Sequence, residues 1–263
     1  MSSWLVAHVP AFALLVGLIL VTAGLAVLVT AGVRRRFPAL TGDAHNDVTR
    51  FTYGFVGFVY AFFIGFIVSA MWGEINTADA NARAEGAVAV QMARDSTAFS
   101  PSDADAIRAA LLAYERAAID EWTDTDHIRS ARADAALGRL QATYRDVRPG
   151  TDLEKSTLTA SVANLDKLGQ ARTIRLLTAQ DDVGPPWPLW VVIYLTSIMV
   201  LGTVIIYGVE RPALHYPMVV IVSIIVATNL FLILELSHPF IGDIATSPDP
   251  LREAVWVVTN TSS

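Results

Sequence analysis

The chain of 263 residues contains no cysteine. Disulfides, thiolate chemistry and cysteine-ligated zinc are therefore excluded. Charge is also scarce. Asp, Glu, Lys and Arg make up 17% of the residues, against about 25% in a typical soluble domain. No basic stripe runs along the chain, so nucleic acid is not its partner. Catalytic signatures are missing too. No nucleophile stands beside a base, and there is no glycine-rich phosphate loop. No two of the five histidines, His8, His45, His127, His215 and His238, share a metal-binding helical spacing. The sequence points away from an enzyme, and it calls for no cofactor and no metal.

What the chain has in excess is apolar residues, at 53%. About 20 apolar residues suffice to cross a hydrocarbon core as a helix. Four stretches qualify: Ala11–Val33, Phe51–Trp72, Leu189–Tyr207 and Tyr216–Leu236. The first has no Lys or Arg before Arg34 and is too long for a signal h-region, so it reads as a retained anchor. Between Trp72 and Pro185 lie 18 of the acidic and 13 of the basic residues. Most of the charge therefore sits in one mildly acidic insert. The expected organisation is 1–72 with two spans and a short basic loop, 73–185 extramembrane, 186–236 with two more spans, and 237–263 as a tail.

Orientation follows from basic residues in short loops. Arg34, Arg35, Arg36 and Arg50 follow span one, and Arg211 follows span three. That side is expected to be cytoplasmic, with the insert and both termini on the outer side of the cell membrane. Trp187 and Trp190, among Pro185, Pro186 and Pro188, form an interfacial collar at the start of span three.

The insert reads as helical throughout. No breaker follows Trp72, so span two runs on to about Phe99. Ser100-Pro101 then supplies a cap and a first-turn proline. Ile107, Leu111, Tyr114, Ala118 and Trp122 recur at helical spacing, as do Leu137, Leu140, Tyr144 and Val147. Arg148-Pro149-Gly150 is a turn, and Thr151 with Glu154 fits a capping box. Leu158, Val162, Leu165 and Leu168 continue with a third apolar face. Three or four such helices make a small bundle.

Four groups of residues are candidates for function. Span two carries Gly57, Ala61, Gly65 and Ser69 at every fourth position, a pattern that lets helix backbones approach closely in lipid. Beside it run Phe51, Phe55, Phe58, Phe62 and Phe66. These phenylalanines either pack and face lipid, or Phe58, Phe62 and Phe66 ring an axis and gate a pore by excluding water. His45 and Asp47 precede span two, as a helix cap or as a polar site at a pore mouth. Span four ends in Ile233-Leu-Glu-Leu-Ser-His-Pro-Phe-Ile-Gly-Asp-Ile244. Glu235 reads there as a hydrated interfacial carboxylate before a helix stop, or with His238 as a contact at a pore mouth. The acidic run Asp120–His127 lacks the spacing of a calcium loop and reads as a solvated helix end.

Several segments in order resemble the bacterial bestrophin-like membrane proteins, a family of unknown function. They are His45-Asn-Asp-Val48, Tyr60, Gly65-Phe66, Trp72, Tyr114, Glu121-Trp122, Pro185-Pro-Trp-Pro-Leu-Trp190, Pro239-Phe-Ile-Gly242 and Ser247-Pro-Asp-Pro-Leu251. The family pattern before Pro-Phe-x-Gly carries Asp-Arg. Here those positions are Ser237 and His238, and the nearest acid is Glu235. Pro239–Gly242 resembles a terminator that turns the tail back over the insert. Kinship with bestrophins implies a pentameric anion channel, with its large helical domain in the cytosol. The basic loops place that domain on the other side.

The expected fold is all-α: four transmembrane helices with a helical bundle inserted between spans two and three. The partners are the lipid bilayer, further copies of the chain and other membrane proteins. Two functions compete. One is an oligomeric ion channel lined by span two. The other is a non-conducting scaffold or sensor whose helical domain binds a partner or ligand.

Overall fold

A backbone within a bilayer must satisfy its own polar groups, and a helix does so inside one segment. A computed structural model of the chain describes residues 2–37, 46–123, 129–180, 184–207, 209 and 211–260. Among them there are helices and no strand. In chain order these are α1 (Ser2–His8), α2 (Ala11–Arg36), α3 (Asn46–Asp95), α4 (Pro101–Thr123), α5 (Ala131–Asp146), α6 (Asp152–Gln180), α7 (Trp187–Ile205), α8 (Pro212–Leu236) and α9 (Asp249–Asn260). Helices α2, α3, α7 and α8 are long and apolar enough to span a membrane. The all-α, four-span expectation holds. The chain divides into two units, Met1–Glu74 with Val183–Ala245, and Ile75–Asp182 with Thr246–Ser263.

In the first unit α8 packs on α2 and α7, and the short α1 lies against α2 and α8. One polar contact ties three helix ends together. Arg34 at the end of α2 donates to the Val209 carbonyl at 3.0 Å and to His215 Nδ1 at 2.9 Å. A guanidinium has donors only, so Nδ1 is the acceptor. The imidazole proton then sits on Nε2, which donates to the Val204 carbonyl at 3.1 Å. His215 is fully buried.

The second unit begins within α3. This helix continues from its apolar first half without a break, because no proline or turn cluster interrupts it. Its 50 residues give a length of about 75 Å. A single 3₁₀ turn, Ser96–Ala98, ends it. Ser100 then caps α4, with its Oγ accepting from the Asp103 N–H at 3.2 Å. The predicted face of α4 is buried at Ile107, Leu111, Tyr114, Ala118 and Trp122. The box at α6 is reciprocal. The Glu154 N–H donates to Thr151 Oγ1 at 3.1 Å, and the Thr151 N–H donates to Glu154 Oε2 at 3.2 Å.

Two of the predicted faces hold in part: Leu140, Tyr144 and Val147 are buried in the first, and Leu165 and Leu168 in the second. On α5 the buried residues are Ala133, Ala136, Leu140 and Tyr144, with Leu137 half-buried. Leu137 reaches toward α6, with its Cδ2 4.0 Å from where a Cβ on Gly169 would stand. On α6 Leu165 and Leu168 are buried, but Val162 is exposed. It lines an open groove of about 420 Å³ with Leu158, Tyr144, Arg145 and Arg148.

Helix α9 lays Leu251, Ala254 and Val258 against α4. Its start presses on α3 at Gly86. A Cβ there would run into the Pro250 carbonyl and lie 2.9 Å from the Pro250 Cβ. The close approach of backbone requires glycine. Gly86→Ala is expected to destabilise the protein by about 1–3 kcal/mol, the usual range for overpacking. A thermal melt of the detergent-purified protein checks this, and an unchanged midpoint would contradict the contact.

Candidate functional site

The first half of α3 sorts its side chains by face. Tyr60, Ile64, Ile67 and Met71, at steps of four, three and four, are buried at 3–7% exposure. The phenylalanines point the other way. Phe58, Phe62 and Phe66 are 71%, 72% and 69% exposed, and Phe51 and Phe55 are exposed as well. The small stripe is also uncovered. Gly57 is half-buried, and Ala61, Gly65 and Ser69 are exposed. A Cβ added at Gly57 or Gly65 would meet nothing within 4 Å. A single chain thus presents an aromatic face and a small-residue face outward, and places its β-branched and flexible side chains inward.

Of the candidate polar residues at the span ends, Glu235 and His238 have described side chains. His45 and the side chain of Asp47 lie outside the described residues. Glu235 and His238 sit at the end of α8, where the His238 N–H donates to the Glu235 carbonyl at 3.2 Å. The hydrated reading of Glu235 is wrong: the residue is only 2% exposed. The chain after Ser237 folds back across it. Gly242 has φ 98°, a left-handed conformation that glycine adopts without strain. Its position is 2.7 Å from Val6 Cγ1 and 2.9 Å from Glu235 Oε2, measured from where a Cβ would stand. The Pro-Phe-x-Gly segment is therefore a lid over the Glu235 carboxyl, with Val6 of α1 also against Gly242.

The second unit holds a cluster that the sequence reading missed. Glu85 from α3, Glu121 from α4, and Arg172 and Arg175 from α6 are all at most 5% exposed. Arg172 forms a fork on Glu121, with Nε to Oε2 at 3.0 Å and Nη2 to Oε1 at 2.7 Å. It also reaches Asp134 at 2.7 Å. Arg175 donates to Glu85 Oε2 at 2.9 Å and lies 4.9 Å above the Trp122 ring. Tyr114 Oη donates to Glu85 at 3.2 Å. Burial opposes ionisation of Glu121, but hydrogen bonds from Arg172 and from the Ser130 N–H hold its carboxyl below the usual range. Burial and the neighbouring Glu85 and Glu115 push the Tyr114 phenol well up.

Glu121 thus corrects the reading of Asp120–His127 as a solvated end. Only Asp120, paired with Arg132 at 2.8 Å, behaves that way among the described residues. Residues 124–128 lie outside those described. The signal that could have revealed the cluster is register. Ala82, Glu85, Ala89 and Met92 recur at steps of three and four, as do Leu165, Leu168, Arg172 and Arg175, and all eight are buried.

The geometry is that of an all-helical, four-span membrane protein with a helical insert between spans two and three. A family model for the Bestrophin-like domain matches residues 20–251, and the chain belongs to that family. No curated protein matches it significantly. Crystal structures of two variants of a bacterial Bestrophin homolog from Klebsiella pneumoniae share the fold. One has TM-score 0.72 at 15% identity, covering 97% of this chain and 99% of the other. The second has TM-score 0.70 at 14% identity, covering 93% and 99%. A crystal structure described as a membrane protein has TM-score 0.72 at 15% identity over 95% and 98%.

Breaking the buried cluster is costly because one partner is left as an uncompensated buried charge. Arg172→Ala is expected to destabilise the protein by about 3–5 kcal/mol. The pH dependence has a definite sign. Glu121 has a depressed pKa, so its contribution is present above the ordinary carboxylate range and is lost as pH falls through the depressed value. Urea denaturation at neutral and acid pH checks both, and Arg172→Ala should show the weaker acid loss.

Proposed function

We propose that the chain assembles as a homo-oligomer, pentameric by analogy with bestrophins, in which the first half of α3 surrounds an ion path. Phe58, Phe62 and Phe66 form its apolar gate. The observation that carries this reading is the outward aromatic face of α3, set beside a small-residue face where a Cβ at Gly57 or Gly65 would meet nothing within 4 Å among the described residues. Small residues are where helix backbones meet in lipid, so a second copy seats on Gly57, Ala61, Gly65 and Ser69. The adjacent phenylalanines then converge on an axis. A ring of apolar side chains closes a pore by expelling water. Bestrophins are ion channels, and membership of the family supports the same reading.

The test is to shorten the ring. Replacing Phe58, Phe62 and Phe66 with Ala is expected to raise ion leak through proteoliposomes, with the oligomer intact on size exclusion. Unchanged leak would count strongly against a gate at these positions and leave the stripe as a lipid-facing surface.

In this reading the arginine-rich end of α2 faces the cytoplasm and the second unit lies outside, as the basic loops favour. The absence of cysteine makes this directly testable. A single Ala160→Cys on the exposed face of α6 is expected to react with a membrane-impermeant maleimide on intact cells. Labelling only after permeabilisation would reverse the orientation and bring it into line with that of bestrophins.

A further inference from the structure

The buried cluster contains one more carboxyl than its guanidiniums engage. Glu85, Glu115 and Glu121 are each at most 3% exposed, against Arg172 and Arg175. Glu85 accepts from Arg175 and Tyr114, and Glu121 accepts from Arg172 and the Ser130 N–H. Among the described residues Glu115 accepts nothing: both of its carboxyl oxygens are buried without a hydrogen-bond partner.

Among the described residues, the groups facing Glu115 offer it no uncommitted positive charge. From α3 the facing group is Glu85, a like charge. From α6 it is Arg175, already engaged by Glu85 and, at 3.4 Å, by Glu121. Its neighbour on α4 is Tyr114, whose hydroxyl is committed to Glu85. Helix α5 turns Tyr144 inward and keeps Asp134 at the rim on Arg172 and Arg129. Helix α9 turns Leu251, Ala254 and Val258 inward and leaves Asp249, Arg252 and Glu253 exposed. An ionised carboxylate without hydrogen bonds in such surroundings is too costly, and the group stays neutral instead. Burial first, and then the charge on Glu85, hold the Glu115 proton on well above the ordinary carboxylate range, with Arg175 acting against them.

We propose that Glu115 is a proton-binding residue, and that loss of its proton loosens the packing of α4 against α3 and α9. The sign follows from linkage. A carboxyl whose pKa is raised on folding binds its proton more tightly in the native state. The stability it confers is complete below the ordinary carboxylate pKa of about 4.3 and declines as pH rises toward the folded value.

The experiment compares the full-length protein in detergent with Glu115→Gln, which keeps the shape but cannot ionise, and with Glu115→Leu. Thermal midpoints are read at about pH 5 and about pH 8.5. The parent is expected to lose several degrees between the two, and both variants are expected to lose less and to melt above it at the higher pH. In parallel, the infrared spectrum of the parent at neutral pH is expected to show a protonated carboxyl band that Glu115→Gln removes. The proposal is overturned if the curves run parallel, if both variants melt below the parent at the higher pH, or if that band is absent.

Discussion

A guanidinium cannot be taken out of water without a counter-charge, and the second unit is built around two of them. Arg172 and Arg175 lie one turn apart on α6 and face the same interior. Each needs a carboxylate in a fixed direction, and the two that serve come from different helices. Glu85 fixes the rotation of α3 about its axis, and Glu121 fixes that of α4. The fork from Arg172 to Glu121 also positions the start of α5, because Ser130 donates its N–H to the same carboxylate. Apolar contacts alone would permit these helices to slide by a turn at little cost. Charge pairing does not, because any slip leaves a buried ion unpaired.

The membrane unit obeys the opposite rule. There the outward face is the apolar one, and burial within one chain says little about what finally covers a side chain. The α3 phenylalanines would be a liability in water. In a bilayer, lipid or a neighbouring copy covers them, and the small stripe next to them decides where close approach is possible. The inward face is ordinary packing, with Tyr60, Ile64, Ile67 and Met71 at helical spacing.

Much of this was legible in the residues because it is local. Spans follow from the thickness of the hydrocarbon core. The length of α3 follows from the lack of any breaker before Phe99. The starts of α4 and α6 follow from Ser100-Pro101 and from Thr151 with Glu154, whose hydrogen bonds need only neighbours in sequence. The buried cluster was not legible. Arg172 meets Glu121 across 51 residues and Arg175 meets Glu85 across 90, and a charged residue on a helix reads as solvated until its register is compared with the apolar face. Glu235 misled for a related reason. Its lid depends on the positive φ of Gly242 and on Val6 from the other end of the chain, and neither is visible from span four alone. The Phe face is legible as a stripe, but its role depends on neighbours in an assembly.

The contact between Arg34 and His215 carries a consequence for how the protein is made. The two residues are separated by 181 positions. At about 5–20 residues per second of synthesis, span one waits roughly 10–40 seconds for the imidazole that will accept from Arg34. During that interval Arg34 must be kept hydrated at the membrane surface, which holds the end of α2 at the interface. The contact therefore forms only after the last span is made.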